Sequence, residues 1–234
     1  MAAELEGTQI LRSDFINNFS HEFKTPIVSI AGFARLLRRD DLTAQERAEY
    51  LDIIEDESLR LAEMATNVLN MTKVENQAIL TDVTRFNLSE QLRNCVLLLE
   101  RKWSQKALEL NIDMGEVFLD GNEELLRQVW VNLLDNAVKF APVGARLDVA
   151  VRAEGETVAV MIGNTGSTIP PDKQERIFGK FYQADESHAA HGNGIGLAIV
   201  KSVTELHGGS VSVQSGQDYT QFTVKLPARH PESL

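Results

Sequence analysis

The feature that most constrains the fold is a pair of long apolar stripes at helical spacing in the first third of the chain. The first stripe recurs at steps of three or four residues from Leu11 to Leu37. The second follows the alternating a/d steps of a coiled-coil seam from Leu51 to Thr72. Residues 38–43 break the pattern, and Thr43 with Glu46 predicts a capping box at the start of the second helix. The pattern predicts an all-α helical hairpin.

A hairpin of two helices is too small to bury both of its apolar stripes. Pairing with a second copy would form a dimeric four-helix bundle around the seam. We therefore expect a homodimer, with the seam formed by Leu51, Ile54, Ser58, Leu61, Ala65, Val68 and Thr72.

The heptads stop after residue 76, and alternating apolar and polar residues then predict half-buried strands. The predicted strands are 108–112, 146–151, 157–162, 211–213 and 222–226, and the predicted helices are 88–105, 122–140 and 194–207. Strands grouped with helices on one face predict an α+β sandwich. We place the boundary near residue 80, which divides a hairpin domain, 1–79, from a second domain, 80–234.

Composition excludes several classes of function. A net charge of -11 without a block of Lys or Arg argues against a nucleic-acid partner, whose phosphates need neutralising. The single cysteine, Cys95, cannot form an internal disulfide, and no cluster of Cys or His offers metal ligands. A single cysteine fits a protein that works in a reducing, cytosolic compartment. The sequence has no apolar run of about 18 residues, so we expect any membrane anchor to lie outside these residues.

The first helix carries a candidate nucleophile. At about 100° per residue, His21 falls opposite the apolar stripe and is predicted to face solvent. Glu22 could accept a hydrogen bond from one imidazole nitrogen and leave the other as nucleophile. Thr25 lies one turn further along the same face. A lone exposed histidine is otherwise an ordinary surface residue.

The predicted helix 122–140 carries two carboxamides, Asn132 and Asn136, one turn apart. Such oxygens suit Mg²⁺ that also holds nucleotide phosphates. The alternative is an ordinary amphipathic helix, with Val131, Leu134, Ala137 and Val138 in the core and the asparagines solvated.

A glycine-rich turn, residues 192–197, leads into another predicted helix. Glycines before a helix let backbone N–H groups approach a phosphate, although a plain loop is the alternative. A P-loop or dinucleotide-binding motif is excluded, because no strand precedes the turn and no Gly-Lys-Ser/Thr follows it.

Seven consecutive residues, Ser-His-Glu-Phe-Lys-Thr-Pro at 20–26, resemble the H-box of HisKA-type sensor histidine kinases, including the Glu-x-x-Thr by which the family dephosphorylates its partner. Residues 132–140 resemble its N-box, 177–182 its F-box and 192–197 its G2 box. Residues 1–16 resemble the helix that couples a membrane-side domain to the acceptor helix. The resemblance extends from Met1 to about Leu226.

The resemblance implies a dimerisation hairpin followed by a GHKL (Bergerat) ATPase domain. It implies that His21 takes phosphate from ATP and passes it to the aspartate of a response regulator, with Glu22 as proton acceptor. It also implies that Thr25 orients the water that hydrolyses the regulator's phosphoaspartate when the protein acts as a phosphatase. Asn136 would ligate Mg²⁺, Asn132 would lie close by, and Lys139 would meet phosphate. We expect the cytoplasmic portion of a membrane protein. The implied nucleotide-binding residues are Asn132, Asn136, Lys139, Phe140, Asn164, Gly166, Ile169, Phe178, Phe181, Gly192, Gly194, Gly196 and Leu197.

Residues 164–170 depart from the family's G1 box, Asp-x-Gly-x-Gly. Asn164 keeps an acceptor for the adenine amino group but loses the charge. Thr168 replaces the second glycine, which is costly if that residue needs a positive φ. Gln183 stands where the family often has an arginine that reaches the terminal phosphate. We expect weakened ATP binding or altered base selectivity.

These departures keep two alternatives open. One is a kinase-impaired dimeric scaffold or phosphatase with a degenerate nucleotide site. The other is a chaperone-type or DNA-repair-type ATPase, although those relatives lack the hairpin motif. His188 and His191 suggest a metal site or a pH switch. The simpler interpretation is that they are solvated histidines in a loop.

Overall fold

A computed structural model describes residues 20, 22–75, 77, 79–180, 182 and 194–229. The chain divides into two compact units, Met1–Asn70 and Met71–Leu234. This division falls inside the second helix, before the composition change near residue 80, so the predicted domain boundary stays a prediction. Each unit is described by itself below.

The first unit is a helical hairpin. Helix α1 covers residues 22–36 of the described chain, and helix α2 runs over Ala44–Glu75. Near the turn, the rings of Phe33 and Tyr50 lie 5.2 Å apart, so α1 and α2 run antiparallel. The predicted capping box is confirmed: Thr43 N–H donates to Glu46 Oε2 at 2.8 Å, and Glu46 N–H donates to Thr43 Oγ1 at 3.2 Å.

The predicted seam on α2 is only partly covered in one chain. Leu51 is 53% exposed, whereas Ile54, Leu61 and Val68 are half-buried. Leu59 and Leu69, outside the seam, are also exposed. Apolar surface of this extent on a hairpin suits burial against another helical surface.

The second unit is built on a five-stranded sheet in the order β2-β4-β5-β7-β6. Strand β2 is parallel to β4, and the other neighbours are antiparallel. All five predicted strands are confirmed, each longer than predicted. They are β2 Glu109–Met114, β4 Arg146–Glu154, β5 Thr157–Thr165, β6 Ser210–Gly216 and β7 Tyr219–Pro227.

A small second sheet was not predicted. Strands β1 (Thr84–Asn87) and β3 (Phe118–Gly121) pair antiparallel and have four residues each. Alternation over four residues is too short to distinguish from a loop, so the sequence offers no clear pattern for them.

Within the described residues, four α-helices accompany the sheet: α3 Leu88–Leu98, α4 Glu100–Gln105, α5 Glu123–Phe140 and α6 Gly196–Leu206. The predicted helical stretch 88–105 is confirmed, but a break at Leu99 that was not predicted divides it into α3 and α4. Helices α5 and α6 pack on each other and on the sheet. Trp130 on α5 is fully buried, and its Nε1–H donates to Gln91 Oε1 at 2.8 Å.

Cys95 lies in the core on α3 and is unpaired with another cysteine. Burial raises the pKa of its thiol to about 11, so the thiol stays protonated and unreactive at neutral pH. Within the described residues there is no cluster of three or more His, Cys, Asp or Glu side chains able to hold a metal ion. None of the described helices is long and apolar enough to cross a bilayer.

Candidate phosphoacceptor and nucleotide sites

The phosphoacceptor segment lies at the start of the described part of α1. His21 itself is outside the described residues, so its predicted exposure stays a prediction. The side chain of Glu22 is 25% exposed, and its Oε2 lies 3.5 Å from Nη2 of Arg60 on α2. Thr25 is exposed, Pro26 is buried, and the helix continues through the proline. The predicted proton acceptor is therefore held between the two helices of the hairpin.

Helix α5 presents the N-box residues beside its buried face. Asn122 caps the helix by accepting a hydrogen bond from Leu125 N–H at 3.0 Å. Of the four predicted core residues, Leu134, Ala137 and Val138 are buried, whereas Val131 is only half-buried. Asn132 and Asn136 are only half-buried, and Asn132 Nδ2 donates to Gln128 O at 2.8 Å. It is therefore a core helix whose two carboxamides lie at the edge of its buried face, and their suitability for Mg²⁺ stays a prediction.

The structure brings the N-box into contact with the glycine-rich segment. Oδ1 of Asn132 lies 2.7 Å from the point that a Cβ on Gly196 would occupy, so the amide lies against the open side of this glycine and a larger residue there would displace it. Gly196 and Leu197 begin α6, and Gly194 before them has a positive φ of 65°. The two segments are far apart in sequence, but they form one surface.

The G1 segment begins in the last two residues of strand β5 and contains a buried carboxamide. Asn164 is 3% exposed, and its Nδ2 donates to Thr165 O at 3.1 Å and to Ser167 Oγ at 2.8 Å. Gly166 has a φ of 83° and donates from its N–H to Asp218 O at 2.8 Å. A Cβ on Gly166 would overlap the ring of Pro142, just beyond α5. The G1 turn is thus packed tightly against the loop after the N-box helix.

A chain of hydroxyl groups fixes the rest of this loop to the β6–β7 hairpin. Ser215 Oγ accepts from Ile169 N–H at 2.7 Å and lies 2.6 Å from Thr220 Oγ1. Thr220, which is buried, donates in turn to Ser167 O at 2.9 Å. Sequence reasoning missed Ser215 and Thr220. The pairing of Asn164 with Thr220 across β5 and β7 depends on strand register, which the sequence pattern does not reveal.

The expected backbone cost of Thr168 is corrected by the structure. Among the described residues, the positive-φ residues other than glycine are Asp82, Ala107, Gln217 and Asp218, and Thr168 is not among them. Gly166 alone makes the left-handed turn of this loop. Threonine is therefore tolerated at the family's second glycine position without backbone strain.

The F-box contributes an aromatic anchor. Phe178 is half-buried and meets the ring of Phe222 on β7 edge to face, with centroids 6.2 Å apart. The simpler interpretation of Phe178 as an anchor of the loop is confirmed. The predicted site or lid residues that fall outside the described residues are Phe181, Gln183, His188, His191 and Gly192.

Two lysines make contacts at the carboxyl end of α5. Lys106 Nζ donates to three carbonyls there, Val138 O at 2.9 Å, Lys139 O at 2.7 Å and Ala141 O at 2.9 Å. Lys139 Nζ lies 4.7 Å from the centroid of the Phe140 ring, a cation–π contact. Sequence reasoning singled out Lys139 but missed Lys106, because a lysine before a strand has no distinguishing pattern.

Substituting Asn164 with aspartate, the family's residue, should destabilise the free domain. The Nδ2 donor to Thr165 O would become a carboxylate oxygen facing a carbonyl oxygen in a buried site. Loss of a buried donor costs about 1–3 kcal/mol, which lowers the Tm by several degrees. A carboxylate would also accept a hydrogen bond from the proposed adenine amino group more strongly than a carboxamide does. The non-hydrolysable analogue AMPPNP should therefore raise the Tm of Asn164→Asp more than that of the unsubstituted chain.

Thermal unfolding with and without Mg²⁺ and AMPPNP measures both effects. Asn94→Asp is the matched control, since it adds the same charge at an exposed position of α3. A free Asn164→Asp domain as stable as the unsubstituted chain would contradict the donor role assigned to Nδ2.

Comparison with known families gives two matches in chain order. Residues 11–77 match the His Kinase A (phospho-acceptor) domain, and residues 121–230 match the histidine kinase-, DNA gyrase B-, and HSP90-like ATPase. The chain is 31% identical over 229 residues to the heme sensor protein HssS of Staphylococcus aureus strain Newman, a match that covers 97% of this chain and 49% of HssS. The chain thus spans about half the length of the curated relative that it matches. The two matched domains together cover about three quarters of the chain and place it in the sensor histidine kinase family.

Solved structures agree with this assignment. Full-length ShkA in complex with AMPPNP is 28% identical, with a TM-score of 0.68 over 92% of this chain and 45% of that one. The histidine kinase ThkA, crystallised with the response regulator protein TrrA, has a TM-score of 0.80 over 98% of this chain and 65% of that one. At 22% identity, ThkA supports the fold alone. The predicted architecture, a helical hairpin followed by a GHKL-type α+β domain, is confirmed.

Proposed function

We propose that this chain transfers the γ-phosphoryl group of ATP to His21 and passes it on to the aspartate of a response regulator. The observation that carries the nucleotide half of the proposal is the contact between Asn132 on α5 and the backbone of Gly196 at the start of α6. This contact joins the N-box and the glycine-rich segment into one surface that has both a carboxamide and backbone N–H groups for phosphate.

In the proposed reaction, the unprotonated imidazole nitrogen of His21 attacks the γ-phosphorus in line. A nitrogen–phosphorus bond forms, the bond from the γ-phosphorus to its bridging oxygen breaks, and ADP leaves with that electron pair. The carboxylate of Glu22 accepts the proton on the other imidazole nitrogen. Glu22 follows His21 directly in the chain and is held by α2, which supports this role.

The residues present fit a magnesium ion bound with the nucleotide. Mg²⁺ keeps several waters and takes few protein ligands besides phosphates, so one carboxamide oxygen is enough. Asn136 would supply that oxygen, and Asn132 and Lys139 would lie near the phosphates. When bound, Mg²⁺ would neutralise the charge on the phosphate oxygens.

Asn164, buried beside the turn at Gly166, would accept from the adenine amino group through Oδ1. Its two hydrogen bonds in the structure both use Nδ2, which supports this assignment. The bound base would lie beside the hydroxyl chain of Ser215 and Thr220.

The second half of the proposal is signalling. ThkA, which shares this fold, was crystallised with the response regulator protein TrrA, and we propose a partner of the same kind for this chain. Two copies of the hairpin would form the four-helix bundle, and Thr25 would orient water for dephosphorylation of the regulator. We further propose that this chain is the cytoplasmic portion of a membrane sensor.

Incubation with γ-³²P-labelled ATP and Mg²⁺ tests the function. We expect protein-bound label that is lost in acid and stable in base, as a nitrogen–phosphorus bond requires. Tight AMPPNP binding without label would contradict the kinase and favour the alternative, a scaffold or phosphatase that uses nucleotide only as a regulator. The altered G1 residue Asn164 is the observation behind that alternative.

A further inference from the structure

The side chain of Arg60 bridges two acidic residues of the hairpin. Its Nη2 lies 3.5 Å from Oε2 of Glu22 on α1, and its Nη1 lies 4.0 Å from Oε2 of Glu57, one turn earlier on α2. All three side chains are about one quarter exposed. The guanidinium therefore lies in the groove between the two helices, not on the open surface.

The ion pair is a weak source of stability at this exposure, because water screens it. The ion pair matters more for the orientation of the Glu22 side chain than for the stability of the hairpin. A glutamate on a helix surface samples several rotamers, whereas a partly buried guanidinium that lies between Glu22 and Glu57 favours the rotamer that turns the Glu22 carboxylate toward it. With Oε2 turned toward Arg60, Oε1 is the oxygen left for a neighbour on α1.

We infer that Arg60 is a positioning residue for phosphorylation of His21. It holds the carboxylate of Glu22 in one orientation, and in the proposed reaction that carboxylate accepts the imidazole proton. This inference rests on the proposed function, in which Glu22 accepts the proton. Arg60 acts through Glu22 and is assigned no contact with ATP.

A double-mutant cycle on autophosphorylation tests this role. Arg60→Gln should lower the rate constant at saturating ATP about tenfold, a fraction of what general-base catalysis contributes, and leave the KM for ATP unchanged. Arg60→Lys keeps the charge without the planar fork and should recover part of the rate. In a Glu22→Gln background, Arg60→Gln should change the rate less than about twofold, because the group that it positions is gone.

Arg47→Gln is the matched control. Arg47 lies on the same helix, and its Nη1 donates to Leu37 O at 3.3 Å near the turn, far along α2 from Glu22. Its loss should leave the rate unchanged. Circular dichroism and sedimentation establish that each variant keeps its helices and oligomeric state. If Arg60→Gln loses them, Arg60→Lys takes its place in the cycle under the same criterion.

Two results would overturn the inference while the kinase stands: an unchanged rate in Arg60→Gln, or the same tenfold loss in both backgrounds. The second would mean that Arg60 acts independently of Glu22, for instance on the phosphoryl group itself. Absence of His21-dependent label in the unsubstituted chain would reject the proposed function, and this inference with it.

Discussion

Replacing His21 with glutamine is expected to abolish acid-labile phosphorylation of the chain while leaving the dimer intact. Glutamine has a similar length and polarity but no nitrogen lone pair able to attack phosphorus, so label should fall to background. The substituted position is predicted to lie opposite the apolar stripe of the first helix, so packing should be unaffected. Phosphate incorporation and sedimentation measure the two effects.

His230→Gln provides the matched control, because it removes another histidine close to the end of the chain. It should keep full labelling. Label that persists in His21→Gln would place the phosphoacceptor elsewhere. Loss of the dimer in that variant would count against the predicted surface position of His21.

Substituting Gly166 with alanine should both destabilise the second unit and weaken nucleotide binding. The residue has a φ of 83°, and its new Cβ would overlap the ring of Pro142. The left-handed backbone alone costs about 1–2 kcal/mol, and the overlap adds about 1–3 kcal/mol unless the loop moves. Movement of the loop would displace Asn164, so we expect at least about a tenfold loss of AMPPNP affinity.

The variant Gly155→Ala separates the cost of the left-handed backbone from the cost of the contact with Pro142. Gly155 in the β4–β5 turn has a φ of 66°, and a Cβ there would meet nothing within 4 Å. It should lose stability by the backbone cost only and bind AMPPNP normally. The double variant Gly166→Ala with Pro142→Ala should recover part of the loss. Equal behaviour of Gly155→Ala and Gly166→Ala would show that the contact with Pro142 is unimportant.

Much of the fold could be predicted because local patterns decide it. The capping box at Thr43 and Glu46 is a short-range signal, and the five main strands alternate over enough residues to be recognised. The break at Leu99 and the short strands β1 and β3 were missed. They depend on packing between distant segments, and propensity at four to six residues is easily overridden.

The residues of the candidate site could be predicted individually, but the contacts between them could not. Motif residues such as Asn132, Asn164 and Gly196 could be singled out from type and spacing. The contact of Asn132 with Gly196, the overlap that keeps residue 166 a glycine, and the hydroxyl chain through Thr220 all arise from tertiary contacts and strand register. The backbone strain considered for Thr168 does not arise, because the left-handed turn is made at Gly166.

The three hydrogen bonds of Lys106 have an electrostatic consequence for the nucleotide. The aligned peptide dipoles of a helix leave about half a negative charge on its last carbonyls, and Lys139, the proposed phosphate contact, lies in the last turn of α5. Left bare, that end would repel a triphosphate. Lys106 places a full positive charge on those carbonyls. A residue between α4 and β2 thus reverses the sign of the local potential where the polyanion is proposed to bind.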